Sequence, residues 1–169
     1  GPAFEELAAP IRRAHDVQDR LVLRGTASVK RGRGVLARLV GVAVGFPSAG
    51  ENVPVTVTMT RREREETWER DFGGRRFGSR QSLGKGRSEG LIVERFGPLV
   101  FAMAVVVRDG RLSLIQRHWT LFGIPMPRLL LPTGSIYEHD ADGRFNFHVE
   151  IMLPIVGPVV AYRGWLDPV

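Results

Sequence analysis

The chain has 169 residues, 43% of them hydrophobic and 25% charged, a length and balance that fit one folded domain and exclude a disordered chain. It has no cysteine, which excludes a disulfide framework, a thiol nucleophile and a cysteine-ligated metal. The net charge is +6 and is carried almost wholly by arginine, since Lys30 and Lys85 are the only lysines.

Residues 4–17 read as a helix, because Phe4, Leu7, Ala8 and Ile11 recur at helical spacing and Glu5 and Glu6 sit near its start. Pro10 predicts a kink or two short pieces. Residues 21–31 read as extended. Val35–Val44 is a second helix with a broad apolar face, ended by Gly45-Phe46-Pro47. From Val53 the pattern switches to period two, Val53, Val55, Val57 and Met59 alternating with Thr56, Thr58 and Thr60. Strands follow over 68–72, 75–82, 91–96, 100–107 and 112–122, punctuated by Gly73-Gly74, a glycine-rich loop at 84–90, Gly97-Pro98 and Asp109-Gly110. The three prolines of 123–132 exclude a central strand there. Residues 135–140 and 145–151 form a hairpin about Asp142-Gly143, and 159–165 closes the chain.

Two early helices followed by some eight hairpin-connected strands predict a mainly β (α+β) domain. Its sheet is antiparallel, strongly curved or closed into a barrel, and grips a helix. No internal repeat or linker divides residues 1–169. Gly1-Pro2, without a methionine, has the form of a tag-cleavage scar. The longest apolar runs, 98–107 and 151–161, fall short of the ~18 residues of a transmembrane helix, and no secretory signal is visible. A cytoplasmic location is the resulting expectation.

Several fragments together resemble a bacterial family known as domain of unknown function 4166. They include Phe4-x-x-Leu7 with His15, Trp68-x-Arg70-x-Phe72-Gly73-Gly74 with Phe77 and Ser79, and Glu94-x-Phe96-Gly97-Pro98. Further on come Gly123-x-Pro125-x-Pro127, Glu138-x-x-x-Asp142-Gly143-x-Phe145-x-Phe147, Pro154-x-x-Gly157 and Tyr162-x-Gly164-Trp165. The resemblance spans nearly the whole chain and implies one compact domain. Members are often fused behind a saccharopine-dehydrogenase-like reductase, so it also implies a reductase-domain partner, with this chain either free-standing or an excised C-terminal domain. It supplies no catalytic residues.

The candidate site comes from ionisable residues in strands where core residues belong. Arg70 lies between Trp68 and Phe72 on one strand face, an expensive arrangement unless it meets an anion, a carboxylate or water. Glu94 shares a face with Ile92 and Phe96, His118 with Leu114, Gln116 and Thr120, and Glu138 with Ile136. If these faces converge, they line a pocket with a cation, two carboxylates and an imidazole, a set able to move protons. The alternative is a buried ion pair between Arg70 and a glutamate. The apolar, proline-stiffened segment 123–132 is either a packed crossing loop or a lid or membrane-touching loop, with Met126, Leu129 and Leu130 contacting an acyl or terpenoid-like ligand.

Other chemistries fit poorly. His139 and His148 flank a hairpin with several acids, but the Asp142-Gly143 turn needs no metal and no His-Glu-x-x-His occurs. Arg61, Arg62, Arg64, Arg75, Arg76, Arg80, Lys85 and Arg87 are interleaved with Glu63, Glu65, Glu66, Glu69 and Asp71, against a nucleic-acid stripe. No phosphate loop or nucleophile elbow is present. These readings leave no cofactor, no metal and no nucleic-acid partner. The first expectation is a barrel binding an apolar small molecule or lipid through Trp68, Arg70, Phe72, Phe96 and Met126. The second is a cofactor-independent isomerase or cyclase using Glu94, His118 or Glu138. The third is a non-catalytic accessory domain on a reductase.

Overall fold

The structure is a computed structural model and describes residues 2–169. Of the kink or two short pieces expected within 4–17, the structure has the two pieces, α1 (Pro2–Glu5) and α2 (Ala9–His15). Pro10 sits in the first turn of α2, where its missing N–H leaves no bond unmade. Leu7, Ile11, Ala14 and Val17 bury one stripe of this region in the core. There follow β1 (Arg20–Arg31), α3 (Val35–Val44), β2 (Gly50–Arg62), β3 (Glu65–Phe72), β4 (Arg75–Leu83) and β5 (Ile92–Phe96). The chain continues through β6 (Leu99–Arg108), β7 (Arg111–Leu121), β8 (Ile124–Pro125), β9 (Ile136–Ala141), β10 (Arg144–Leu153) and β11 (Gly157–Pro168).

Strand order is β6-β5-β4-β3-β2-β1-β11-β10-β9-β7-β8, and a further β6–β7 pairing closes the sheet on itself. The fold is thus a closed, up-and-down antiparallel barrel. It has eleven strands where about eight were expected. Ten form the ring, and β8 is a two-residue hook on β7, paired through Thr120–Pro125 and Leu121–Ile124. Pro125 within so short a strand and Pro127 just after it conceal it from any periodicity argument. The seam between β7 and β9 is the thinnest, with only the Leu112–Glu138 and Ser113–Tyr137 pairs. No helix among the described residues is long and apolar enough to cross a membrane.

The alternation of an up-and-down ring gives it two distinct ends. One carries α2 and the Asp109-Gly110 and Asp142-Gly143 turns. The other carries the Gly73-Gly74 and Gly97-Pro98 turns, the 122–135 connection and α3. The α3 helix crosses that second end. It stops at Gly45, whose left-handed φ of 82° turns the next N–H, that of Phe46, back to the Gly41 carbonyl at 2.9 Å, while the Gly45 N–H bonds the Val42 carbonyl. The Arg31 guanidinium donates to the Phe46 and Pro47 carbonyls at 3.0 Å each. A Cβ on Gly41 would lie 1.7 Å from that guanidinium, so a larger residue here would require the Arg31 side chain to move off these carbonyls.

Curvature has local causes. Bulges interrupt β1 between Ala27 and Val29, the β6–β7 pair at Ala102/Met103 and the β10–β11 pair at Ile151/Met152. Where β1 and β11 run together, a Cβ on Gly164 would stand 2.0 Å from the Thr26 carbonyl oxygen, a backbone atom. Gly164→Ala is therefore expected to cost roughly 1–3 kcal/mol and to lower Tm by several degrees in thermal denaturation. An unchanged Tm would show that the strands can part at no cost.

Candidate functional site

The barrel holds a cavity of about 1230 Å³ that opens at the end opposite α3, walled by residues from every strand of the ring except β1, together with Val40, Val44 and Phe46 from α3 and its C-terminal turn. Aromatic and aliphatic side chains make up most of the wall, including Trp68, Phe72, Phe77, Phe96, Phe101 and Phe147. At the end opposite α3 the lining becomes charged and exposed, with Arg61, Arg62, Arg64 and Lys85 beside Glu63 and Glu65.

Inside this apolar wall lies one buried polar cluster. Strand alternation turns Trp68, Arg70 and Phe72 of β3 inward together, and Ile92, Glu94 and Phe96 of β5 likewise. Arg70 Nη2 donates to Glu94 Oε1 at 3.2 Å and its Nη1 to Ser79 Oγ at 2.9 Å. Ser79 Oγ in turn donates to the same Glu94 oxygen at 2.5 Å. The guanidinium is further faced by the rings of Trp68, Phe77 and Phe96 at 5.1, 5.6 and 6.0 Å, a cation–π surround in a desolvated place. Glu94 is 6% exposed. Its second carboxylate oxygen has no protein hydrogen bond among the described residues. Tyr162 of β11 completes the group. Burial pushes its phenol up to about 12, with Arg70 opposing and Glu94 reinforcing the shift, so it stays a neutral donor. That hydroxyl also has no protein hydrogen bond among the described residues, although buried tyrosine hydroxyls usually find a partner.

A second polar pair lies nearer the charged end. His15, at the C-terminus of α2, meets Glu138 of β9 through Nε2 to Oε2 at 2.5 Å. Both line the cavity, and the imidazole sits 5.9 Å from the Trp68 ring. Burial alone would lower the His15 pKa. The charge and hydrogen bond of Glu138, assisted by Glu66, outweigh burial and hold it above 6.5.

The structure therefore brings Trp68, Arg70, Phe72, Glu94, Phe96 and Glu138 to one cavity. His118 and Met126 are not among its lining residues. The expected face of His118 is corrected by a bulge: Ala102 pairs with His118 but Met103 pairs with Gln116, leaving Arg117 as the extra residue. Beyond it the faces exchange, so Trp119 and Leu121 turn inward and His118 turns out to bond Ser88 Oγ at 2.9 Å. Met126 bonds through its N–H to the Trp119 carbonyl as the segment folds back along β7, Leu129 is 83% exposed, and Pro132 alone of 123–132 reaches the cavity. His15 is the residue that alternation could not find: it stands 123 positions from its partner and on a different kind of element. Among the described residues no group of three His, Asp or Glu side chains is placed to hold a metal ion.

A family model described as Domain of unknown function (DUF4166) matches residues 7–166. The chain belongs to that family. The matched span takes in His15, Arg70, Glu94, Glu138 and Tyr162. No curated protein matches the chain.

Two outcomes follow from the site. Removing one partner of a buried pair strands the other charge, so Arg70→Met is expected to cost about 3–5 kcal/mol in urea unfolding, and Arg70→Met with Glu94→Met to recover most of it. Equal losses in the single and double variants would mean that the pair carries no coupling. For His15, a folded-state pKa above the unfolded one gives stability that is full below the unfolded value and lost as pH rises through the folded value. Tm is thus expected to fall on going upward from about pH 6.5, the ordinary histidine value, and His15→Gln to flatten that slope in pH-resolved calorimetry.

Proposed function

We propose that the barrel binds an amphiphile of the fatty-acyl or terpenoid class, its apolar body in the cavity and its polar group against Glu94, Arg70 and Tyr162. The observation that carries this reading is the size of the void. Protein interiors are close-packed, with few voids larger than a water molecule, and ordinary ligand pockets measure ~300–1,000 Å³. A space of about 1230 Å³ with a predominantly apolar wall has no packing rationale. A free carboxylate oxygen, spare guanidinium N–H groups and a neutral phenol give that wall one place able to orient a hydroxyl, carbonyl or carboxyl group.

A second reading has its own support. A protonated imidazole held by a carboxylate at the cavity wall is a proton donor within reach of a bound ligand. On that reading His15 and Glu138 serve a cofactor-independent isomerisation or cyclisation, and Arg70 and Glu94 hold the substrate. The accessory-domain reading, in which the chain docks on a reductase, requires neither the void nor its polar groups.

Native mass spectrometry of freshly purified protein, followed by solvent extraction, tests the first reading. A discrete adduct of fatty-acyl or terpenoid character is expected, or uptake of an added fluorescent fatty acid where the protein arrives empty. Leu114→Trp, which fills the cavity from β7, is expected to abolish uptake while the circular dichroism spectrum is kept. Neither adduct nor uptake in the folded wild type would overturn the reading.

A further inference from the structure

We propose that the α3-capped end of the barrel is a docking face for an anionic lipid bilayer. It goes beyond the ligand reading and stands without it. The argument begins with α3, which is apolar on both sides. Ala37 and Gly41 are buried and Val40 and Val44 line the cavity, whereas Val35, Leu36, Leu39 and Val42 are 73%, 58%, 62% and 66% exposed. A helix apolar all round is ordinarily covered all round. Here the barrel covers one side, and nothing among the described residues covers the other.

The same end carries a second, independent anomaly. Six residues other than glycine have positive φ: Asn52, Glu63, Asp109, Phe122, Asp142 and Ile155. Glu63, Asp109 and Asp142 occupy turns at the opposite end and are the polar types such turns favour. Asn52, Phe122 and Ile155 belong to the α3 end; Asn52, beside the irregular register of β1 and β2, is again a favoured polar type, whereas Phe122 and Ile155 have φ of 51° and 70° and exposures of 77% and 95%. A β-branched residue in the left-handed region is strained, and strain of this kind is kept where the side chain has a use. Ile124 and Leu129, from the same 122–135 connection as Phe122, add 65% and 83% exposed side chains. Apolar tips from three separate segments converge on one end, where a water-facing surface would be polar.

Charge selects the occupant. Arg33, Arg38, Arg75 and Arg128 are exposed at this end and form no ion pair among the described residues. Of the acids there, Glu51 accepts from Ser28 and Asp71 is held by Arg76. Exposed apolar side chains ringed by unpaired arginines match the boundary between acyl chains and anionic head groups, as interfacial helices do. The cavity lies directly behind the helix that would touch the lipid.

Co-sedimentation with vesicles tests this. Wild-type protein is expected to bind phosphatidylcholine vesicles containing phosphatidylglycerol, and to bind pure phosphatidylcholine vesicles about tenfold more weakly. The double variant Leu36→Glu/Leu39→Glu is expected to lose at least about tenfold in binding, with Tm unchanged because both side chains are already exposed. In native mass spectrometry it should keep any adduct the wild type carries, so loss of docking is separable from loss of the cavity ligand. No binding by the wild type, or equal binding by the double variant, overturns the proposal. So does a wild-type dimer in sedimentation velocity that the same substitutions dissociate, since a second copy would then be the cover.

Discussion

Closure of the antiparallel ring is the constraint from which the rest follows. An open sheet of this length would leave two edges of unpaired N–H and C=O groups, and the β6–β7 pairing removes them. Closure with ten strands also sets a circumference that the inward side chains do not fill, which distinguishes this barrel from the small ones whose interiors are solid. The void is thus a product of topology and strand number. Residue choice decides only what faces it.

Those choices are unequal around the ring. Most inward positions hold aliphatic or aromatic groups; the ionisable exceptions in the interior gather in two places, and Gln116 of β7 adds a buried amide oxygen with no partner among the described residues. Around Arg70 every means of making a buried cation tolerable is used at once: a carboxylate, a hydroxyl shared with that carboxylate, and three ring faces. Such a pair is weak evidence for stability, because apolar residues of similar volume would often serve as well. Its retention with acceptor and donor capacity left over favours a role in recognition. The His15–Glu138 contact, in contrast, ties the N-terminal helix to β9 beside the thinnest seam of the wall, and so joins the orientation of a cavity residue to the integrity of the ring.

Much of this was legible in the chain. Alternation placed Trp68, Arg70, Phe72, Glu94 and Glu138 on inward faces, because strand register propagates through regular segments without error. The Asp109-Gly110 and Asp142-Gly143 turns marked their hairpins, and Pro10 marked the break between α1 and α2. Alternation failed at His118 for a definite reason: a single extra residue, Arg117, exchanges the faces of the strand beyond it, and a bulge is set by the partner strand's geometry more than by its own composition. The pairing of His15 with Glu138 was illegible for a different reason. It depends on how α2 docks against β9 and β10, a tertiary fact with no local period.

The two ends of the barrel complete the logic. In an up-and-down ring the turns at one end are related by nothing except their position, so a shared character there reflects a shared environment. At one end the turn residues with positive φ are Glu63, Asp109 and Asp142, and the cavity lining beside them is charged. At the other, Phe122 and Ile155 take the same backbone conformation at greater steric cost, beside a helix that shows water as many apolar side chains as it shows the core. Selection for folding alone would favour glycine, asparagine or aspartate at such positions. Phe122, Ile155 and the outer face of α3 break local rules in three separate segments at one end, and this coincidence is what the docking proposal rests on.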